Sequence, residues 1–187
     1  MTNLLFSNAL NRIPQKVPPV WFMRQAGRYH SHYQNLKKSY TFEQLCKDPE
    51  LSAKTALGPI DDFDFDVSIL FSDILFPLEA LGMGLKYDPG PIFSKFIDPS
   101  NIEELRSVDE AILDLKFQGD ALKITREILP EDKSLIGFIG GPWTVASYGT
   151  GMNKGVDYHD GLNNPFIKKL LGNTIFPLLR KNIELQI

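Results

Sequence analysis

Three short apolar runs, each closing on polar or glycine-rich residues and separated by stretches of helical character, constrain this chain more than any other feature. They are Val20-Trp21-Phe22-Met23, which feeds into Arg24-Gln25-Ala26-Gly27-Arg28; Asp66-Val67-Ser68-Ile69-Leu70-Phe71-Ser72-Asp73; and Ser134 to Ile139, closed by Gly140-Gly141-Pro142. Continuous apolar strands alternating with helices mark a parallel sheet covered on both faces, because a strand buried on both sides shows no polar alternation. Arg24, Asp73 and Gly141 stand at the ends of the three runs, and in a β/α barrel the C-terminal ends of the strands carry the active site. A doubly wound sheet uses the same edge, but the glycine fingerprint for a dinucleotide is missing, so an α/β fold of the (β/α)8 TIM-barrel type is expected. A complete barrel takes about 250 residues. This chain has 187 and its last stretch, 166–185, reads as a helix. Residues 1–187 are therefore expected to form the N-terminal portion of a single barrel domain.

The segments between the runs carry local signals. Residues 3–12 read as a short amphipathic helix, followed by a break at Pro18 and Pro19. Thr41 with Gln44 three places on forms a capping box for a helix over 41–57. Leu85-Lys86-Tyr87 and Ile92-Phe93, separated by Asp88-Pro89-Gly90, predict a hairpin. A short helix over 102–105 precedes a longer one over 107–128, opened by Ser107 and Glu110.

Composition excludes several classes of function. The chain is 43% hydrophobic and 23% charged, the makeup of an ordinary globular domain, and its net charge of −3 offers no basic field for nucleic acid or anionic membrane. Its one cysteine, Cys46, precludes an internal disulfide and fits a reducing compartment. No basic leader and no bilayer-length apolar run is apparent, so a cytoplasmic location is expected. The run Asp61-Asp62-Phe63-Asp64-Phe65-Asp66 reads as a solvated loop ahead of a strand, and His30, His32 and His159 have no zinc-site spacing with Cys46. No metal is expected.

The arginine segment points to chemistry. Two guanidiniums flanking a Gln-Ala-Gly turn offer planar forks that match carboxylates bidentately, and Gly27 permits a backbone conformation or close approach that a side chain would forbid. A carboxylate-rich or phosphorylated ligand is expected. Asp73, a carboxylate at a strand end, needs a partner, and capping the next helix is one role open to it. Gly137-Phe138-Ile139-Gly140-Gly141-Pro142-Trp143-Thr144-Val145-Ala146-Ser147-Tyr148 reads as strand, glycine turn and helix start; its glycines could admit a planar ligand or simply form a tight turn.

Pro19 to Tyr29, the element Phe71-Ser72-Asp73-Ile74-Leu75 and the element Gly141-Pro142-Trp143-Thr144 closely resemble the signatures of uroporphyrinogen decarboxylases. The resemblance covers essentially the whole chain but only the first half of the family's length. It implies cofactor-independent decarboxylation of the four acetate side chains of uroporphyrinogen III to coproporphyrinogen III in haem biosynthesis, by an enzyme that is a homodimer when full length. It further implies that Asp73 receives the pyrrole N–H groups and stabilises developing positive charge, that Arg24 is catalytic with it, and that Arg24, Gln25, Ala26, Gly27, Arg28, Asp73 and Tyr148 bind substrate. This sequence departs from the family at His30-Ser31-His32, where a looser loop is expected, at Lys37 in place of a third arginine, and at Gly140 or Gly141, where the family often has alanine. Two alternatives remain. The related barrel methyltransferases acting on corrinoid-bound methyl groups use a His and Cys zinc site and do not usually keep the arginine signature. A non-catalytic truncated remnant of the decarboxylase is the other, and by itself the 187-residue chain is expected to be inactive.

Overall fold

The computed structural model describes residues 3–152, 161 and 163–187, which leaves His159 outside the described residues. In chain order its elements are α1 (Leu4–Leu10), α2 (Ser31–Leu36), α3 (Phe42–Lys47), α4 (Pro49–Phe63), β1 (Val67–Ile69), α5 (Phe76–Ala80), β2 (Leu85–Tyr87), β3 (Pro91–Phe93), α6 (Val108–Ala111), α7 (Lys116–Ile128), β4 (Ser134–Ile136), α8 (Pro142–Gly149), α9 (Pro165–Leu170) and α10 (Phe176–Gln186). They group into two compact units, one of residues 1–72 and 117–138, the other of residues 73–116 and 139–187.

In the first unit, the helix expected over 41–57 is two helices. Thr41 and Gln44 make the predicted capping box on α3, but Pro49 disfavours helical geometry for Asp48, which adopts an extended conformation and starts a new helix. Its carboxylate accepts from the N–H groups of Glu50 and Leu51, and Pro49 occupies the first turn, where a missing N–H costs nothing. Helix α4 packs on α2, α3 and β1. It ends at Asp64, left-handed at φ 55°, whose carboxylate pairs with the buried Lys133.

β1 and β4 pair in parallel, Val67 opposite Ser134, Ser68 opposite Leu135 and Ile69 opposite Ile136. Leu70, Ala121 and Leu122 bury together against Leu135 and Phe138, which seats α7 on this pair. A second cluster of Tyr33, Leu36 and Leu45 closes over Leu51 and Phe71. β1 is shorter than the run 66–73 because side chains take over beyond Leu70: Ser52 Oγ donates to the Phe71 carbonyl at 2.8 Å, and Gln118 Nε2 to Ser72 Oγ at 2.9 Å. β4 likewise stops at Ile136, short of 139, as the glycine-rich stretch that disfavours strand begins. Arg126 bolts the α7–β4 connection through the carbonyls of Leu129, Pro130 and Lys133, each at 2.8 Å.

The second unit contains the predicted hairpin, β2 and β3, with Leu85 opposite Phe93 and Tyr87 opposite Pro91. Ser107 and Glu110 form the predicted capping box, and the Ser107 hydroxyl and then its backbone N–H hold the Glu110 carboxyl below the usual carboxylate range. The helix expected over 107–128 is broken, however, by a tight 3-10 turn at Ile112–Leu115 between α6 and α7. The helix expected over 166–185 contains a π-type stretch, Leu171–Ile175, that ends two residues before Pro177, whose missing N–H and ring disfavour a regular α-helical turn ahead of it. α10 packs on α6 and on the Ile112–Leu115 turn, with Lys181 bonded to Asp109 at 2.8 Å. The short helices α2 and α5 were not among the sequence expectations.

The α/β class therefore holds, with β1 and β4 parallel and helices between them in the chain. The described residues form one parallel strand pair; they do not display the expected barrel. Among them no helix is long and apolar enough to cross a membrane.

Asp48→Ala should lower the stability of the chain by about 1 kcal/mol through loss of the α4 cap, while Asp48→Asn, which keeps an acceptor, should be nearly neutral. Denaturant midpoints at constant slope measure this; equal effects of the two variants would show that the cap contributes nothing.

Candidate functional site

The first motif lies within the first unit, and it is not the strand expected over 20–23. Pro18 and Pro19 bring no N–H groups to a ladder, and among the described residues the one backbone bond to the sheet region runs from Asp66 N–H to the Val20 carbonyl at 3.0 Å. The Asp66 carboxylate accepts from Val20 N–H at 2.7 Å and from Asn3 Nδ2 at 3.1 Å, which fixes the approach to the turn. The chain then reverses at residues 22–25, where Gln25 N–H donates to the Phe22 carbonyl at 3.0 Å. Gln25 is 1% exposed, and its carboxamide replaces the ladder. Oε1 accepts from Phe22 N–H at 3.2 Å, and Nε2 donates to the Val67 carbonyl of β1 at 3.1 Å. Ala26 and Gly27 are half-buried. A Cβ on Gly27 would sit 3.0 Å from the Arg24 carbonyl oxygen, so glycine serves here for a close backbone approach.

Arg24 and Arg28 both emerge exposed from this turn, and among the described residues neither guanidinium forms a hydrogen bond or ion pair. Arg24 lies on the wall of an open cavity of about 560 Å³ whose other lining residues are Phe22, Met23, Tyr29, Phe63 and Phe65. Phe22 is 58%, Met23 76% and Tyr29 65% exposed, so the second half of the apolar run predicted to be buried, Phe22 and Met23, instead presents its side chains to this cavity. Tyr29 is oriented by donating its hydroxyl to the Gln25 carbonyl at 2.7 Å. Phe22 and Phe65 meet edge to face with ring centres 5.3 Å apart. The arrangement is one guanidinium on an aromatic wall, which can receive the face of a flat apolar ligand and a carboxylate at its edge. Arg28 acts electrostatically on the buried Tyr33: burial pushes the Tyr33 hydroxyl pKa up, Cys46 adds to that, and the Arg28 charge opposes it.

The departures from the family pattern also find places. His30 does not belong to a loosened loop. It is 2% exposed, with Nε2 2.7 Å from Asp62 Oδ2 and its ring packed against His32 and Phe63. Asp62, Asp64 and Asp66 are thus each held by a different structural partner. Lys37 is exposed at the C-terminal end of α2.

In the second unit, the motifs containing Asp73 and Gly140 adjoin. Asp73 is half-buried and its Oδ1 accepts from Leu75 N–H at 2.8 Å, just ahead of α5. This is a local turn bond of the kind expected for a carboxylate at a helix approach. A Cβ on Gly140 would lie 2.5 Å from Val145 Cγ2, 3.1 Å from Ile74 Cβ and 3.3 Å from the Ile74 carbonyl oxygen, so the residue after Asp73 rests directly on this glycine. Gly141 differs: its Cβ would meet only Thr144 Oγ1, at 3.7 Å. Tyr148 lies on α8 and is 44% exposed, not a core residue.

The family described as Uroporphyrinogen decarboxylase (URO-D) matches residues 1–159. The uroporphyrinogen decarboxylase of Campylobacter jejuni subsp. jejuni (strain 81-176) is 44% identical over 151 residues, covering 78% of this chain and 44% of the relative. That of Citrifermentans bemidjiense is 41% identical over 146 residues, covering 78% of this chain and 43% of the relative. The chain therefore spans less than half the length of these relatives. Among solved structures, a methyltransferase from Methanosarcina mazei superposes with a TM-score of 0.72 at 18% identity, over 98% of this chain and 56% of that one. At that identity the likeness concerns the fold.

The two glycines of the second unit should respond differently to a methyl group. Gly140→Ala should destabilise the chain by about 1–3 kcal/mol through overpacking against Val145 and Ile74, and Gly141→Ala should be tolerated, because its Cβ would meet only Thr144 Oγ1 at ordinary contact distance. Thermal unfolding of both variants checks this; a neutral Gly140→Ala would refute the packing described.

Proposed function

Because this chain belongs to the uroporphyrinogen decarboxylase family, we propose that it carries the carboxylate-binding part of an enzyme that converts uroporphyrinogen III to coproporphyrinogen III. The observation that supports this best is Arg24 on the wall of the aromatic cavity, with Arg28 four residues on along the same anchored turn. The proposed ligand is a tetrapyrrole ring edged with acetate and propionate groups. Its flat apolar body matches Phe22, Phe63, Phe65 and Tyr29, and its carboxylates match the two guanidinium forks. A phosphorylated ligand would satisfy the arginines but would leave the aromatic wall unused.

In the proposed reaction a proton adds to a ring carbon of one pyrrole and makes the ring an iminium-like electron sink. The bond from the acetate methylene to its carboxylate then breaks, CO₂ departs, and the electron pair neutralises the ring as an exocyclic methylene. A second proton converts that methylene to methyl as the first leaves the ring carbon. Asp73 is proposed to accept hydrogen bonds from the pyrrole N–H groups and to stabilise the cation while it exists, electrostatic work that needs a fixed negative charge in a water-poor site. Arg24 and Arg28 hold carboxylates that do not react, so the reacting acetate is placed without being neutralised. The proposal also assigns the chain to part of a (β/α)8 barrel and Tyr148 to substrate contact.

The relatives are longer than the region they share with this chain, so the reaction test supplies the rest: the chain co-produced with the remaining portion of the Campylobacter jejuni relative. Uroporphyrinogen should be consumed by the pair. Asp73→Asn should slow turnover by a factor on the order of 10² to 10³, and Arg24→Lys should raise KM more than it lowers kcat, since a lysine keeps the charge but loses the fork. Full turnover with Asp73→Asn would remove Asp73 from the chemistry.

A further inference from the structure

We propose that Gln25 is a positioning residue for the arginine pair and does not itself touch the carboxylated ligand, an inference that rests on the clamp reading above. All four polar groups of this residue are engaged inside the protein. The backbone N–H donates to the Phe22 carbonyl, the backbone carbonyl accepts the Tyr29 hydroxyl, Oε1 accepts from Phe22 N–H and Nε2 donates to the Val67 carbonyl. With 1% of the residue exposed, no surface remains for a ligand to reach.

Each bond fixes a different part of the motif. Phe22 is tied at the entrance of the turn, Tyr29 just past Arg28, and the Val67 bond fastens both to β1, which the parallel ladder holds. Within the segment from residue 22 to residue 29, both arginines included, this carboxamide supplies the bond to β1, while Asp66 at Val20 and Gln34 Nε2 at the Arg28 carbonyl hold its two ends. A guanidinium fork gains affinity over a mobile cation only if its direction is set before the ligand arrives. The guanidiniums of Arg24 and Arg28 make no hydrogen bond or ion pair among the described residues, so their direction is inherited from the backbone, which Gln25 holds together with the bond from Gln34 Nε2 to the Arg28 carbonyl. In Gln25→Met, which keeps length and volume, both side-chain bonds go while the arginines stay.

The test is a double-mutant cycle on the 187-residue chain, with uroporphyrin I, the oxidised octacarboxylate porphyrin, as fluorescent probe. Gln25→Met should weaken binding roughly tenfold, the order of one lost net hydrogen bond. In a chain that already carries Arg24→Ala and Arg28→Ala the same change should cost less than about twofold, because its effect passes through the arginines. Amide hydrogen exchange at Phe22 should accelerate while the β1–β4 amides keep their protection. An equal affinity loss in both backgrounds would mean direct ligand contact and overturn the inference, as would an unchanged Phe22 amide. Should Gln25→Met fail to fold, Gln25→Glu runs the same cycle, since it keeps the acceptor for Phe22 N–H and loses only the donor to Val67. If the arginine variants bind the probe as tightly as the unaltered chain, the clamp itself fails; the Phe22 exchange result tells that failure apart, and the positioning role falls with it.

Discussion

The hydrogen bond from Gln25 Nε2 to the Val67 carbonyl joins the first motif to the sheet region, and the rest of the arginine site depends on it. In a parallel pair, successive residues of a strand turn their N–H and C=O groups to opposite edges. Leu70 N–H donates to the Ile136 carbonyl, so even-numbered residues of this stretch face β4 and Val67 faces the other edge. A strand over 20–23 would have met that edge with backbone amides. Two prolines precede it, and a buried carbonyl left without a donor is costly. A side-chain amide fills the place instead. That substitution frees the backbone of 22–25 to reverse, turns Phe22 and Met23 outward, and sets a guanidinium on the aromatic wall they form with Tyr29, Phe63 and Phe65.

The second unit reaches a comparable fixity by steric means. Ile74 rests on Gly140, with no room for a methyl group between them, and Asp73 is held by the Leu75 N–H on the other side of that residue. One motif is thus set by hydrogen bonds through a buried glutamine and the other by the absence of a side chain. Both strategies fix the backbone that carries a charged residue, which is how a site is organised before a ligand arrives.

Much of this was legible in the sequence wherever the signal was local. The capping boxes at Thr41 and Ser107, the Asp88-Pro89-Gly90 hairpin and the parallel pairing of two of the three apolar runs all follow from short-range chemistry. What could not be read were choices made by distant partners. Val20 to Met23 has the composition of a buried strand, and only the Asp66 and Val67 contacts decide that it reverses. The breaks within the predicted long helices turned on Asp48-Pro49, on the Ile112–Leu115 turn and on Pro177, where a local stop signal outweighed a periodic pattern that ran through it. His30 read as a loop departure because its partner, Asp62, lies 32 residues away. At the site, the arginine pair and Asp73 were identified by residue type, whereas the different demands on Gly140 and Gly141 appear only when Ile74 and Val145 are in place.

The central claim is that this turn recognises carboxylates displayed around a flat ring. It is tested most directly by comparing the affinity of the unaltered chain for uroporphyrin I with its affinity for the octamethyl ester of the same porphyrin, in detergent-free buffer at low ionic strength. The two probes share the ring and differ in the eight negative charges. The account predicts that the free acid binds and the ester does not, with the free-acid affinity falling as salt rises, because exposed guanidinium–carboxylate pairs are screened. Equal affinity for both probes would mean that the aromatic wall alone holds the porphyrin and would contradict the clamp.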